Sequence, residues 1–260
     1  MITIFRRIRQ KLIDSGSVTK YMLYAIGEIL LVVVGILIAL QVNNWNLDRL
    51  DRQREKEVLG DLKVEFEANL YDLNRVLKQH EVIYHELQEV QKITLSRNYK
   101  DNRLDSLMFG FAKWFGFTDR PGASTNLVNS GSLNLISNDE LRDLITQWSG
   151  TVNDVVDDEI YAADYIRETV LPFLGKYYPL SNIEIANKNY VETIGQSLGP
   201  DFDPVFPLQE VDWEILFDNE EFQSILSMRL LNEYHNMLEG RLALRSNKRI
   251  LELIRQELES

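Results

Sequence analysis

The sequence predicts an all-α protein: one N-terminal transmembrane helix that continues into a stalk, plus an extracytoplasmic antiparallel helical bundle. Three observations carry that expectation. Residues 21–40 are apolar apart from one carboxylate. Residues 59–87 repeat apolar positions at a mean step of about 3.5, the period of a helix seam. No stretch alternates polar and apolar residues as a half-buried strand would.

The span reads YMLYAIGEILLVVVGILIAL, from Tyr21 to Leu40. About 20 apolar residues are needed to cross a bilayer core. Tyr21 and Tyr24 at one end and Trp45 past the other are amphipathic rings suited to the membrane interface. The apolar run is longer than a signal-peptide core, and Ala39-Leu40-Gln41 offers no small-x-small cleavage site, so a signal anchor is expected. Arg6, Arg7, Arg9, Lys11 and Lys20 precede it, whereas Arg49, Arg52 and Arg54 follow it mixed with acids. The positive-inside rule then places the N-terminus in the cytoplasm. Ile4, Phe5, Ile8 and Leu12 share one helical face, so residues 1–20 suit either an amphipathic helix on the inner leaflet or a basic tail that sets topology. The resulting division is 1–20 cytoplasmic, 21–42 transmembrane, and 43–260 extracytoplasmic, with 43–95 as stalk and first long helix.

Charge sharpens the division. The whole chain carries −12, but the first 20 residues carry +4 and the 220 after Leu40 carry −15. Such a domain repels phosphate backbones, and no nucleic-acid partner is expected. The absence of cysteine excludes disulfides, thiolate zinc sites, Fe–S clusters and a cysteine nucleophile.

The run KYMLYAIGEILLVVVGILIALQVNNWN, Lys20 to Asn46, resembles a family of single-span membrane proteins of Bacteroidota classed as a domain of unknown function. The later stretch STNLVNSGSLNLISNDELRDLI, Ser124 to Ile145, is also similar to it. The resemblance implies an inner-membrane protein with a periplasmic domain and assigns no catalytic residue.

Beyond the span, Leu59, Leu62, Phe66, Leu70, Leu73, Leu77, His80, Tyr84 and Leu87 form the expected seam. Nothing between Leu40 and Leu59 breaks a helix, so span and stalk can be continuous. A short helix near 104–115, a turn at Arg120-Pro121-Gly122 and a brief helix ending at Gly131 follow. Ser137 with Glu140 reads as a capping box for a helix running to about Tyr178, with an irregularity at Gly150. Residues 179–218 read as an irregular crossover. Asp218 with Glu221 reads as a second box opening a C-terminal helix, whose Phe222, Leu226, Leu230, Tyr234 and Leu238 share a face. The sum is a bundle of about four main helices.

Glu28 is the most informative side chain, about 10 Å into the span by helical rise. An intramembrane carboxylate is costly and is a functional hypothesis by default. Gly35 and Ala39 share its face as a small-xxx-small pair, so Glu28, Gly35 and Ala39 are the expected helix–helix interface. The alternative is an ion-relay role for Glu28; a third reading is a neutral Glu28 facing lipid or local water. His80 in the seam reads as a satisfied bundle histidine. His80 and His85 do not share a face and have no third ligand in sequence, so no metal is expected. Asp154, Asp157, Asp158 and Glu159 read as a solvated acidic face, and Asp201-Phe202-Asp203-Pro204 as a weak calcium-loop candidate lacking the full pattern. Ser130-Gly131-Ser132 is not a nucleophile elbow, and no phosphate loop, dinucleotide fingerprint or zinc-protease motif occurs. No cofactor follows from the sequence. The expectation is a non-enzymatic membrane protein working through protein–protein contacts, as a homo-oligomer or with another membrane protein. An accessory subunit of an ion-driven complex using Glu28 is the alternative, and an envelope enzyme the third reading.

Overall fold

The computed structural model describes residues 18–186 and 207–259, with the side chains of residues 18–21 and 24 also left undescribed. The basic segment before residue 18, the rings of Tyr21 and Tyr24, and the Asp201–Pro204 loop therefore lie outside the description. Among the described residues every regular element is helical. The chain forms two compact units, Met1–Glu57 and Val58–Ser260.

Helix α1 runs Val18–Ser96 over 79 residues. No proline interrupts it, and Gly27, Gly35 and Gly60 are single glycines that a long helix tolerates. Among the described residues of the first unit it is the only helix. The side chains from Ile29 to Leu40 point outward, and the helix from Ala25 onward is long and apolar enough to cross a membrane. Trp45, at its far end, is 68% exposed. Charged residues then pair along the helix, Arg52 with Glu55 and Arg54 with Asp51.

The second unit contains α1 from Val58 onward, α2 (Leu104–Ala112), α3 (Ala123–Asn129), α4 (Asp139–Tyr165), α5 (Leu171–Tyr177), α6 (Trp213–Phe217) and α7 (Glu220–Glu259). Among the described residues three helices are long, α1, α4 and α7, where the sequence suggested about four. Pairings fix their directions. His80 meets Glu233, Glu81 meets Arg241 and Glu67 meets Arg255, so α7 runs antiparallel to α1. Phe66 packs on Trp148 and His80 meets Glu159, so α4 runs parallel to α1.

A parallel pair needs a connection that returns along the bundle. Residues 97–138 supply it. Arg103 lies by Glu89, Phe111 and Lys113 reach Arg229, Phe117 reaches Glu159, Asp119 reaches Asn69, and Ser124 reaches Glu65. This connector is the fourth column of the bundle. Gly116, Pro121, Gly122 and Gly131 keep it from being one helix, and Gly131 adopts φ +69°, which favours glycine.

The seams keep a strict heptad. On α1 the buried heptad positions are 59, 62, 66, 69, 73, 76, 80, 83, 87 and 90, and Glu55, Glu65, Asp72, Leu77 and Ile93 are buried beside them. Asn69 and Ile83 are thus buried where the sequence suggested Leu70 and Tyr84, which are half-buried. On α7 they are 222, 226, 229, 233, 236, 240, 243, 247, 250 and 254. The expected face through Tyr234 and Leu238 is corrected, since both are exposed. A constant step of four drifts about 40° per step away from the core.

Three local readings also shift. Asn138 caps α4 by accepting from the Leu141 N–H at 3.0 Å, so the cap lies one residue past Ser137. Asn219 caps α7 through the Glu221 N–H at 2.8 Å, while Asp218 binds Tyr99 and Arg97 instead. The irregularity is a π turn at Ile166–Val170 rather than at Gly150. Pro172 has no N–H and its ring crowds the carbonyl of Glu168, and a widened turn relieves both. The extra residue also brings Val170 rather than Thr169 into the core.

Two glycines give opposite predictions. Gly150 is helical and exposed, and an added Cβ meets nothing within 4 Å. Gly150→Ala should stabilise the full-length protein by about 0.5–1 kcal/mol. Gly240 lies where α1 and α7 cross, and an added Cβ would stand 2.8 Å from Leu77 Cδ2. Gly240→Val should destabilise by about 1–3 kcal/mol. Denaturant unfolding of the two variants beside wild type measures both signs.

Candidate functional site

The apolar interior is split into two clusters. One gathers Ile83, Leu87, Phe111, Phe173, Phe217 and Phe222; the other gathers Leu62, Phe66, Ile145, Trp148, Leu251 and Ile254. Between them the seam positions turn polar: His80 on α1, Glu159 on α4, Arg229 and Glu233 on α7. None is more than 6% exposed.

The four groups satisfy one another. His80 Nδ1 lies 2.7 Å from Glu233 Oε2, and Nε2 lies 3.2 Å from Glu159 Oε1. An ionised carboxylate only accepts, so both ring nitrogens donate and the ring is an imidazolium. Arg229 Nη1 donates to Glu233 Oε1 at 2.8 Å, and its other nitrogens donate to the carbonyls of Phe111 and Lys113 at 3.2 and 3.0 Å. The second oxygen of Glu159 accepts the Phe117 N–H at 2.6 Å. Two cations thus face two anions, joining three long helices to the connector.

Burial alone would depress the His80 pKa. The hydrogen bonds that the ring donates to Glu159 and Glu233, with the charge of those carboxylates, outweigh it and raise the pKa from 6.5 to about 9. Burial pulls Arg229 below its ordinary value, against the opposing pull of Glu233. Nearby, burial lowers Lys113 to about 8, opposed by Glu86; its ammonium sits 4.6 and 4.4 Å from the centres of the Phe109 and Phe115 rings.

His80 is therefore the satisfied bundle histidine that its seam position suggested. Its partners were hidden. Glu159 is buried, a correction to the solvated acidic face, although Asp154 and Asp157 are exposed. Arg229 and Glu233 escaped because a search for apolar periodicity skips charged residues; the unbroken heptad on α7 was the signal that could have found them. Such a layer of mutually neutralised ions can hold a register and hold a proton. It offers no unpaired base or nucleophile.

The span residues lie apart, in the other unit. Glu28 is half-buried, and an added Cβ at Gly35 would meet nothing of this chain within 4 Å. Ala39 is exposed on the same helix.

A family of unknown function (DUF6090) matches residues 28–194. The chain belongs to that family. The family match takes in Glu28, Gly35, Ala39, His80 and Glu159, and ends before Arg229 and Glu233. No curated protein and no solved structure matches the chain.

The raised His80 pKa links to stability. A folded pKa above the unfolded one contributes stability that is complete below about pH 6.5 and is lost as pH rises through 9. The loss should approach roughly 3 kcal/mol. Lys113 has the opposite sign, since a depressed lysine gains stability as pH rises from 8 toward 10.5. Unfolding free energies of wild type and His80→Gln at pH 6 and pH 9 isolate the histidine: wild type should lose more over this range than the variant. Glu233→Ala should cost about 3–5 kcal/mol at pH 7, because it strands Arg229 and His80 as buried cations.

Proposed function

We propose that the protein is a membrane-anchored, extracytoplasmic helical module that acts through protein–protein contacts, as a scaffold, assembly or sensor-like partner. One observation carries the reading: an outward-facing apolar helix accompanies a helical unit whose own seams are filled. Among the described residues those from Ile29 to Leu40 are exposed, which supports their being covered by lipid or by other helices. The seam from Leu59 to Leu87 packs on α4 and α7. This packing supports the span, rather than the seam, as the associating element. The enclosed ion layer argues against turnover, because its charges already neutralise one another.

The asymmetry of basic residues supports a cytoplasmic N-terminus, with the helical unit in the periplasm of a bacterium. Within the bilayer, close packing and hydrogen bonds drive helix association. Gly35 and Ala39 permit close approach, and Glu28 on their face gains from a polar neighbour. The position of that carboxylate also favours a second reading, an accessory subunit of an ion-driven complex in which Glu28 relays a proton or cation. Glu28→Gln separates the two, since packing tolerates an amide and a relay does not.

A reporter active only outside the cytoplasm, fused after Ser260, should be active; activity of a cytoplasm-only reporter there would overturn the orientation. In a two-helix membrane assay, Gly35→Ile should weaken association of the span and Leu31→Ile should leave it nearly unchanged. Equal association of wild type, Gly35→Ile and Glu28→Leu would remove this face as an interface.

A further inference from the structure

Helix α7 carries apolar side chains on two opposite sides. One is the buried seam. The other is Leu231, Tyr234, Leu238 and Leu242, at helical spacing and each between 43% and 51% exposed. A helix that covers a core ordinarily turns charged residues to solvent, so a second apolar side marks a surface for association. Two exposed cations, Arg245 and Lys248, follow on this part of the helix, and among the described residues neither has an ion pair. The acids of the same stretch are withdrawn: Glu233 is buried and Glu239 half-buried. A basic and apolar face on a chain of net charge −12 selects an acidic partner that also offers apolar area.

The chain itself displays such a partner. The outer side of α4 bears Asp143, Asp154, Asp157 and Tyr161, all exposed, and the three carboxylates have no ion pair among the described residues. The heights match as well. Within one chain α4 and α7 pack side by side and antiparallel, Glu140 lies beside Arg249, and His80 joins Glu159 to Glu233. Tyr161 is therefore level with Leu231, Asp157 with His235 and Asp154 with Leu238, and Arg245 stands within one turn of the level of Asp143. Two copies related by a two-fold axis parallel to these helices keep the same levels. Each α4 then runs antiparallel to the α7 of the other copy, and the contact is made twice.

We propose that the outer faces of α4 and α7 form a homodimer contact, α4 of one copy lying on α7 of the other. The contact rests on the reading of the protein as one that acts through protein–protein contacts, and it names a second copy as the partner. Across it Tyr161 packs against Leu231 and Tyr234, His235 donates to Asp157, and Arg245 faces Asp143. Pairing α7 with α7 about the same axis would instead set Arg245 against Arg245, and like charges in juxtaposition cost affinity. The five apolar side chains offer roughly 400 Å² per copy, about half of what a specific interface buries on each partner. The charged groups around them supply the polar rim.

The chain has no cysteine, so an introduced one is the sole thiol. Two differently tagged full-length chains, one Tyr161→Cys and one Leu231→Cys, are co-expressed, and their isolated membranes are treated with a short bis-maleimide. The mixed cross-linked dimer should form at least about tenfold more than from Val64→Cys with Leu231→Cys, because Val64 lies on the exposed outer side of α1. Adding Leu238→Glu to the Leu231→Cys chain sets a carboxylate against Asp154 and should lower the yield about tenfold, whereas Leu238→Arg should leave it within about twofold. Leu238 is exposed, so both variants should keep the thermal unfolding of the parent. A yield no higher than that of the Val64→Cys pair overturns the proposal, and so do equal yields from the two Leu238 variants. Both chains keep the wild-type span. Span association that persists in the two-helix assay while this cross-link is absent overturns the α4–α7 contact alone.

Discussion

The imidazolium of His80 is the contact on which the packing of the helical unit depends. It leaves α1 and reaches α4 with one nitrogen and α7 with the other. Apolar seams of regular period tolerate sliding by a heptad, since one aliphatic layer resembles the next. A charged layer does not, because any slip would strand ions among hydrocarbon. Arg229 extends the constraint to the connector by binding two of its carbonyls. Replacing such a layer with well-packed apolar residues is often neutral or stabilising, so net stability is a weak reason for its presence. Fixing register among three helices and an irregular strap is the stronger one.

The same layer explains how far the sequence could be read. The span was legible because a run of about twenty mostly apolar residues has few other uses, and the α1 seam was legible because most of its members are large and apolar. The all-helical class follows from these periods. The α7 seam was not legible from apolar spacing. Arg229, Glu233, Asn236, Gly240, Ala243 and Asn247 occupy six consecutive heptad positions without one large apolar side chain. Glu159 was concealed by company, one buried acid following exposed ones on the same helix. Both cap positions were misplaced by one residue for a related reason: Ser137, Asn138, Asp218 and Asn219 are all competent caps, and only backbone register chooses between neighbours.

The packing also reassigns where this protein can meet others. A seam with a step of 3.5 could have served a coiled coil between chains. Here α4 and α7 occupy it, and Gly240 allows close approach of α7 at Leu77. A helix in the bilayer has no comparable resource. Hydrocarbon solvates leucine as well as another leucine does, so association there rests on small residues and on polar groups. The span carries both on one face, at Gly35 and Ala39 and at Glu28. On the proposed reading the candidate span is therefore also the stretch whose side-chain pattern suits a neighbouring helix.

The connector, residues 97–138, has a wider role than joining helices. It supplies the carbonyls of Phe111 and Lys113, the amide of Phe117, the carboxylate of Asp119 and the hydroxyl of Ser124. A fourth continuous helix in this place would have consumed the first three groups in its own hydrogen-bond ladder. The glycines and proline that break it leave main-chain donors and acceptors free to meet buried side chains. Glu65, Asn69 and Glu159 are the polar seam residues that receive the amides of Ser124, Arg120 and Phe117. Their burial and the irregularity of the connector thus have one cause: each buried side chain satisfies a main-chain group that no helix engages. A regular bundle of apolar seams would have no ion layer, which lies where this strap crosses the helices.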